Sequence, residues 1–269
     1  MMLIDSHCHL DLPPLAGELD AVLARAAAQG VSGYLVPAVD RGHWPALECL
    51  SQRDASVAVA IGLHPCFAHQ PDDVEHMAAR LSVPHPYVAI GECGLDAIGS
   101  PLPLPQQEHL CRAQLRLAQQ HELPVILHVR KAHNELLRLL NEIPLSAGGV
   151  VHGFSGSTAL AQQYIKRGLK LGIGGTITYP RAAKTRAAVA ALPLTSLLLE
   201  TDSPDMPICG HQGETNEPAR LPHILSQLAR LRGCDPKELI EPLAYNVAEL
   251  FPRWQCQPQI TAANPSISD

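Results

Sequence analysis

PVILHVRKAHNELLRLLNEIPLSAGGVVHGFSGSTALAQQYIKRGLKLGIG, residues 124–174, is three short apolar runs separated by two stretches of helical character. The runs lie near 124–128, 149–153 and 170–174 and are rich in Val, Ile and Leu, as expected of strands covered on both faces. Between them, Asn134 to Glu142 and Thr158 to Arg167 alternate polar and apolar residues at the period of a surface helix. This order predicts consecutive βα units around a parallel sheet. Two of the three runs end on a histidine, His128 and His152.

The same grammar extends in both directions. Further apolar runs lie near 2–6, 32–38, 56–62, 87–92 and 196–201, with helical stretches at Leu19 to Gln29 and Gln106 to His121. Two more helical segments, Glu217 to Arg232 and Pro236 to Phe251, follow the last run. Eight units predict an α/β fold of the (β/α)₈ TIM-barrel type, with an open doubly wound sheet as the alternative. Metal-ligand side chains at the ends of five runs favour the barrel, whose strand ends converge on one mouth, whereas an open sheet would spread them along an edge. One domain is expected over residues 1–252. Residues 253–269, rich in Pro, Gln, Ser and Asn without a period, are expected to be a poorly ordered or surface-draped tail.

Composition narrows the partners. With 20 Lys and Arg against 26 Asp and Glu, a net charge of -6 argues against an extended duplex-binding face. Any nucleic-acid contact is expected to be local, reaching a few phosphates near Arg130, Arg181, Lys184 and Arg220. The eight cysteines form no Cys-x-x-Cys pair, and Met1 is not followed by a basic and then apolar leader. Free thiols and a cytoplasmic location are the expectation. No run is long enough to span a membrane, and no obligate protein partner is expected.

The run ends carry the chemistry. Besides His128 and His152 they supply His7 and His9, Glu92, and Asp202. Imidazoles and carboxylates are the usual ligands of divalent first-row metals, and six exceed the needs of one tetrahedral ion. Two ions sharing a carboxylate would use all six and can activate water for hydrolysis. His7 and His9 share a strand face by period two while Cys8 points away, and Asp5 shares their parity. Glu92 lies between Gly91 and Gly94, where the backbone can turn tightly, and its two oxygens could touch two ions. His128 and His152 read together as ligands of the second ion. Asp202 could bind metal and take a proton from the attacking water. Asp96 reads equally as a supporting partner or a helix cap, and Glu200 as a deeper support. Arg130, on the face of His128, reads as a phosphate or carboxylate fork or as a loop ion pair.

The motifs Asp5-Ser6-His7-Cys8-His9-Leu10, Gly62-Leu63-His64-Pro65, Ile90-Gly91-Glu92-Cys93-Gly94-Leu95-Asp96, His152-Gly153-Phe154-Ser155-Gly156, Leu199-Glu200-Thr201-Asp202-Ser203-Pro204 and Asn216-Glu217-Pro218 span almost the whole chain. In that order they resemble the TatD family of metal-dependent deoxyribonucleases, amidohydrolase-like barrels. The resemblance implies that His7, His9, Glu92 and Asp202 hold one metal and that Glu92, His128 and His152 hold the other. Cys66 stands where many members carry a second histidine. Gly210 to Thr215 replaces a short basic run, and Asp205-Met206-Pro207 with Gln212-Gly213 is more similar to the YjjV-like branch.

The expected function is a two-metal hydrolase, a TatD-type deoxyribonuclease or phosphodiesterase with 3'-5'-exonuclease-like action on DNA ends or short single strands. Asp202, Glu92 and His64 are the expected catalytic set, with His64 a phosphate contact, a proton donor or a plain rim histidine. Phe67, Phe154 and Tyr179 could stack on bases or serve packing, and Arg130 and Asn216 complete the expected substrate-binding set. Three or more imidazoles favour Zn²⁺, with Mg²⁺, Mn²⁺ or Ni²⁺ as alternatives. The same ions could polarise a carbonyl, so an ester or amide hydrolase such as a D-aminoacyl-tRNA deacylase is the competing expectation. A metal-stabilised binding protein without turnover is the third.

Overall fold

The computed structural model describes residues 2–254. Eight parallel strands lie in the order of the chain: β1 (Leu3–Asp5), β2 (Val31–Pro37), β3 (Val57–Ile61), β4 (Tyr87–Asp96), β5 (Val125–Arg130), β6 (Gly149–Val151), β7 (Leu169–Ile173) and β8 (Leu197–Leu199). The sheet closes where the Ser6 N–H donates to the Leu199 carbonyl at 3.0 Å and the Asp202 N–H to the His7 carbonyl at 2.9 Å. The fold is a (β/α)₈ barrel, and the open-sheet alternative is excluded. Around it run α1 (Leu19–Ala28), α2 (Trp44–Arg53), α3 (Asp73–Leu81), α4 (Leu104–His121), α5 (His133–Glu142), α6 (Thr158–Ile165), α7 (Ala183–Ala191), α8 (Leu221–Arg232) and α9 (Pro236–Leu250).

Strand parity builds two apolar layers. Val57, Val59 and Ile61 of β3 join the layer shared with helix residues such as Leu47 and Leu115. Their alternates Ala58 and Ala60 join Ile4, Leu35, Val88, Ile126, Val150 and Leu198 in a separate cluster inside the barrel. Ala244, Val247 and Leu250 of α9 close that cluster, together with Phe251 and Trp254. Trp254, one residue past the start of the expected tail, is buried, with its ring against Gly33. Residues 255–269 lie outside the described residues.

Other boundaries shift for local reasons. The helix expected from Glu217 begins at Leu221, after a 3₁₀ turn at Pro218–Arg220, since prolines at 218 and 222 lack the N–H groups a continuous helix would use. β4 runs past Glu92 to Asp96. No helix among the described residues is long and apolar enough to cross a membrane.

Candidate metal centre

The backbone around Glu92 allows two strands to approach closely. β4 pairs with β5 as Ile90 to Val125 and then Cys93 to Leu127, a one-residue bulge across Gly91 and Glu92. Bulges re-aim side chains, and this one lies where Glu92 enters the barrel mouth. Gly91 (φ 131°) and Gly94 (φ 149°) permit it: a Cβ would lie 2.3 Å from the Ile126 carbonyl oxygen at the first and 1.9 Å from the His128 carbonyl oxygen at the second.

Glu92 is buried among five imidazoles, and these divide between its oxygens. His7 Nε2 and His9 Nε2 lie 3.1 and 3.4 Å from Oε2. His64 Nε2, His128 Nδ1 and His152 Nε2 lie 2.9, 2.9 and 2.7 Å from Oε1. Asp202 joins the first group, its Oδ1 3.5 Å from His7 and 3.8 Å from His9. The His7 and His152 rings stack across the divide, 4.0 Å apart. Although the expected grouping of His7 and His9 holds, with Nε2 atoms 3.3 Å apart, strand parity is not its cause. β1 ends at Asp5, and the segment beyond it is held by Ser6 and His9 N–H bonds to the Leu199 and Ser203 carbonyls.

Supporting carboxylates set orientations. Asp96 Oδ2 takes His128 Nε2 at 3.1 Å while its Oδ1 accepts the Ile98 and Gly99 N–H groups of the turn after β4 at 2.8 and 2.6 Å, so of its two expected roles the supporting one is seen and the helix cap is not, because α4 begins only at Leu104. Burial alone would raise its carboxyl, but His128 and these N–H groups hold it well below the usual carboxylate range. With Nε2 donating to Asp96, the neutral His128 ring turns a lone pair on Nδ1 toward Glu92 Oε1 and, at 3.0 Å, toward His152 Nε2. Such a meeting of acceptors calls for a cation. Without metal a proton serves: Asp96 and Glu92 overcome burial and raise His128 to about 9. Burial also opposes the charge on His9, yet Glu92 and Asp202 raise it to about 9. Glu92, which burial would raise, is held well below the carboxylate range by His152, His64 and His7. Its Oε2 is nevertheless buried without a hydrogen bond. A buried carboxylate oxygen lacking a donor, beside nitrogen lone pairs, fits a divalent ion. A ligating histidine with its other nitrogen on a carboxylate is also the usual arrangement around metals.

Asp5 and Glu200 lie beneath this cluster. Asp5 accepts the Thr201 N–H and hydroxyl and the His7 N–H, tying β1 to the end of β8. Burial raises its carboxyl to about 7, against those bonds. Glu200 accepts the Gly153 N–H, and burial raises it to about 8. Asp202 has the αL backbone (φ 58°) unusual for a non-glycine residue, a conformation that concentrates at functional sites.

Residues 4–252 match the family model described as TatD related DNase. The chain belongs to this family. It is 43% identical over 251 residues to the Escherichia coli K12 protein named uncharacterized metal-dependent hydrolase YjjV, covering 92% of this chain and 97% of that one. The crystal structure of E. coli YjjV, described as a TatD homolog, superposes with a TM-score of 0.90 at 42% identity, covering 93% of this chain and 98% of that one. A Citrobacter rodentium protein named 3'-5' ssDNA/RNA exonuclease TatD is 36% identical over 245 residues, 86% of this chain and 91% of that protein. The chain is a TatD-family metal-dependent hydrolase with His, Glu and Asp candidate metal ligands.

The expected substrate residues of this TatD-family barrel divide less evenly. Phe67 is half-buried, edge-on to His64 at 5.5 Å, and Arg130 is exposed at the end of β5 with no ion pair among the described residues. Phe154 cannot stack on a base: it is buried in the strand–helix layer. Asn216 is likewise internal, donating through Nδ2 to the carbonyls of Thr201, Asp205 and Met206 at 2.9, 2.8 and 3.3 Å, and so braces the loop after β8. Arg220 is spent on Glu214 at 2.6 Å and on His211. His64 points into the cluster: its Nδ1 accepts the Cys66 N–H at 3.0 Å, which leaves Nε2 to donate to Glu92. Two α4 glutamines went unnoticed in the sequence. Gln114 clamps the N–H and carbonyl of Leu63 at 2.9 and 3.0 Å, and Gln107 those of Asp96 at 2.7 and 3.0 Å.

Proposed function

We propose that this TatD-family hydrolase is a two-metal phosphodiesterase acting on the ends of DNA or on short single strands, with residues 1–252 as its catalytic domain. The observation that carries the reading is the division of imidazoles between the two oxygens of Glu92. One ion would be held by His7, His9, Asp202 and Glu92, the other by His128, His152 and Glu92. Two divalent ions, when bound, would neutralise charge developing on the phosphoryl group and lower the pKa of water. Zn²⁺ suits so many imidazoles.

The chain's own groups do the rest. Asp202, the more exposed of the two carboxylates in the cluster, accepts the proton of the attacking water as the water oxygen bonds to phosphorus, and the proton is then available to the ester oxygen, which departs as the alcohol. His64 donates to Glu92 Oε1 and fixes the carboxylate's orientation. Asp96 keeps the Nδ1 lone pair of His128 directed at the cluster. Nuclease action is supported by the 36% identical relative named 3'-5' ssDNA/RNA exonuclease and by two cations at the mouth, Arg130 and Arg181, that pair with no carboxylate among the described residues.

The test is a substrate screen after chelation and restoration of each metal in turn. Hydrolysis of unmodified oligonucleotides, recovered with metal, is the expected result. Turnover of acyl esters or aminoacyl-tRNA, with phosphodiesters untouched, would contradict the assignment.

A further inference from the structure

A cavity of about 210 Å³ opens at the mouth between the loops after β7 and β8, bounded by Thr176, Tyr179, Arg181, Met206 and Pro207. Its walls are fastened to the segment that carries Asp202. The Tyr179 hydroxyl donates to the Pro207 carbonyl at 2.7 Å, and Asn216 holds the carbonyls of Thr201 and Met206. A Cβ on Gly175 would come within 2.7 Å of the Met206 carbonyl oxygen, so the loops touch backbone to backbone.

Two residues of the cavity wall present exposed side chains. Met206 adopts φ 54°, a cost for a non-glycine residue, and the residue is 42% exposed. Arg181 lies over the Tyr179 ring, its guanidinium carbon 4.7 Å from the centroid, without a carboxylate partner among the described residues. Lys184, in the first turn of α7, is also exposed and makes no ion pair among the described residues. The contrast with Arg220 at the same mouth, neutralised by Glu214, is direct. In a chain of net charge -6, an uncompensated guanidinium on the wall of an apolar slot, with a second cation three residues along the chain, suits an aromatic ring bearing phosphate.

We propose that this cavity is a nucleotide subsite next to the cleaved bond, with Met206 and Tyr179 contacting the base and Arg181 and Lys184 the adjoining phosphate. The proposal rests on the phosphodiesterase reading. A guanidinium braced on an aromatic face keeps a donor edge free for two phosphate oxygens. The Met206 thioether is a soft contact for a base and tolerant of its identity, so the subsite recognises a nucleotide without selecting sequence.

Binding, not turnover, gives the readout. The metal-loaded protein is titrated with a phosphorothioate-linked oligothymidylate of roughly eight nucleotides, within the span of common single-strand sites. Arg181→Gln should weaken binding roughly tenfold and reduce the log–log salt slope by about 0.7, the contribution of one phosphate contact. Met206→Ala should also weaken binding but leave the slope unchanged. Circular dichroism and metal content check that both variants remain folded and loaded. Unchanged affinity and slope in Arg181→Gln, while the native protein binds the strand, would overturn the subsite and leave the phosphodiesterase reading standing. If the native protein neither binds this strand nor cleaves its unmodified counterpart, the phosphodiesterase reading fails and the subsite falls with it.

Discussion

Asp202 and His64 sit at opposite edges of the same cluster and should fail differently when changed. If Asp202 both holds metal and accepts the water's proton, Asp202→Asn should lower kcat by roughly 10²-fold or more with a smaller effect on KM, since the lost interaction belongs mainly to the transition state. Steady-state kinetics on one oligonucleotide would show it, and near-normal kcat would remove Asp202 from the proton path. The candidate cluster was legible at this scale because each of its six proposed ligands ends an apolar run, where a polar side chain has no packing purpose. The inward turn of His64 was not legible, since it depends on the Cys66 N–H occupying Nδ1. Phe154 misled for a related reason: its glycine and serine neighbours read as an exposed loop, while the chain turns the ring inward.

At the scale of elements, α4 does more than cover the barrel. Gln107 and Gln114 act as surrogate strand partners, each satisfying both backbone groups of a residue beyond or at the end of β3 or β4. On an amphipathic helix two glutamines read as solvent-facing, so the sequence held no signal for them. Gln114→Leu would leave the buried Leu63 N–H and carbonyl unsatisfied, costing about 2 kcal/mol. The corresponding fall in Tm is roughly 4–8 °C for a chain of this size. Because Leu63 precedes His64, a loss of kcat should accompany it. A calorimetric scan showing no fall in Tm would mean the clamp is dispensable. The βα alternation itself was readable because parallel strands bury both faces and announce themselves as uninterrupted apolar runs. The bulge at Gly91 and Glu92 was foreshadowed by its glycines.

For the whole molecule, metal occupancy and pH are linked. In the metal-free protein His9 and His128 are both raised to about 9, so at neutral pH both hold protons that a metal must displace. Apparent metal affinity should therefore climb as pH rises from about 6 toward 9 and flatten above it, with protons released on binding. Calorimetric titrations in buffers of different ionisation enthalpy would detect the release, and affinity that is flat or falling across that window would contradict the assignment. The central claim is that Glu92 joins two ions, and its most direct measurement is metal content per chain by elemental analysis of native and Glu92→Gln protein, with circular dichroism and turnover on the same samples. Two ions in the native protein, loss from both sites in the variant, abolished turnover and an intact barrel are predicted. A Glu92→Gln protein that retains two fully occupied metals and normal turnover would contradict the account.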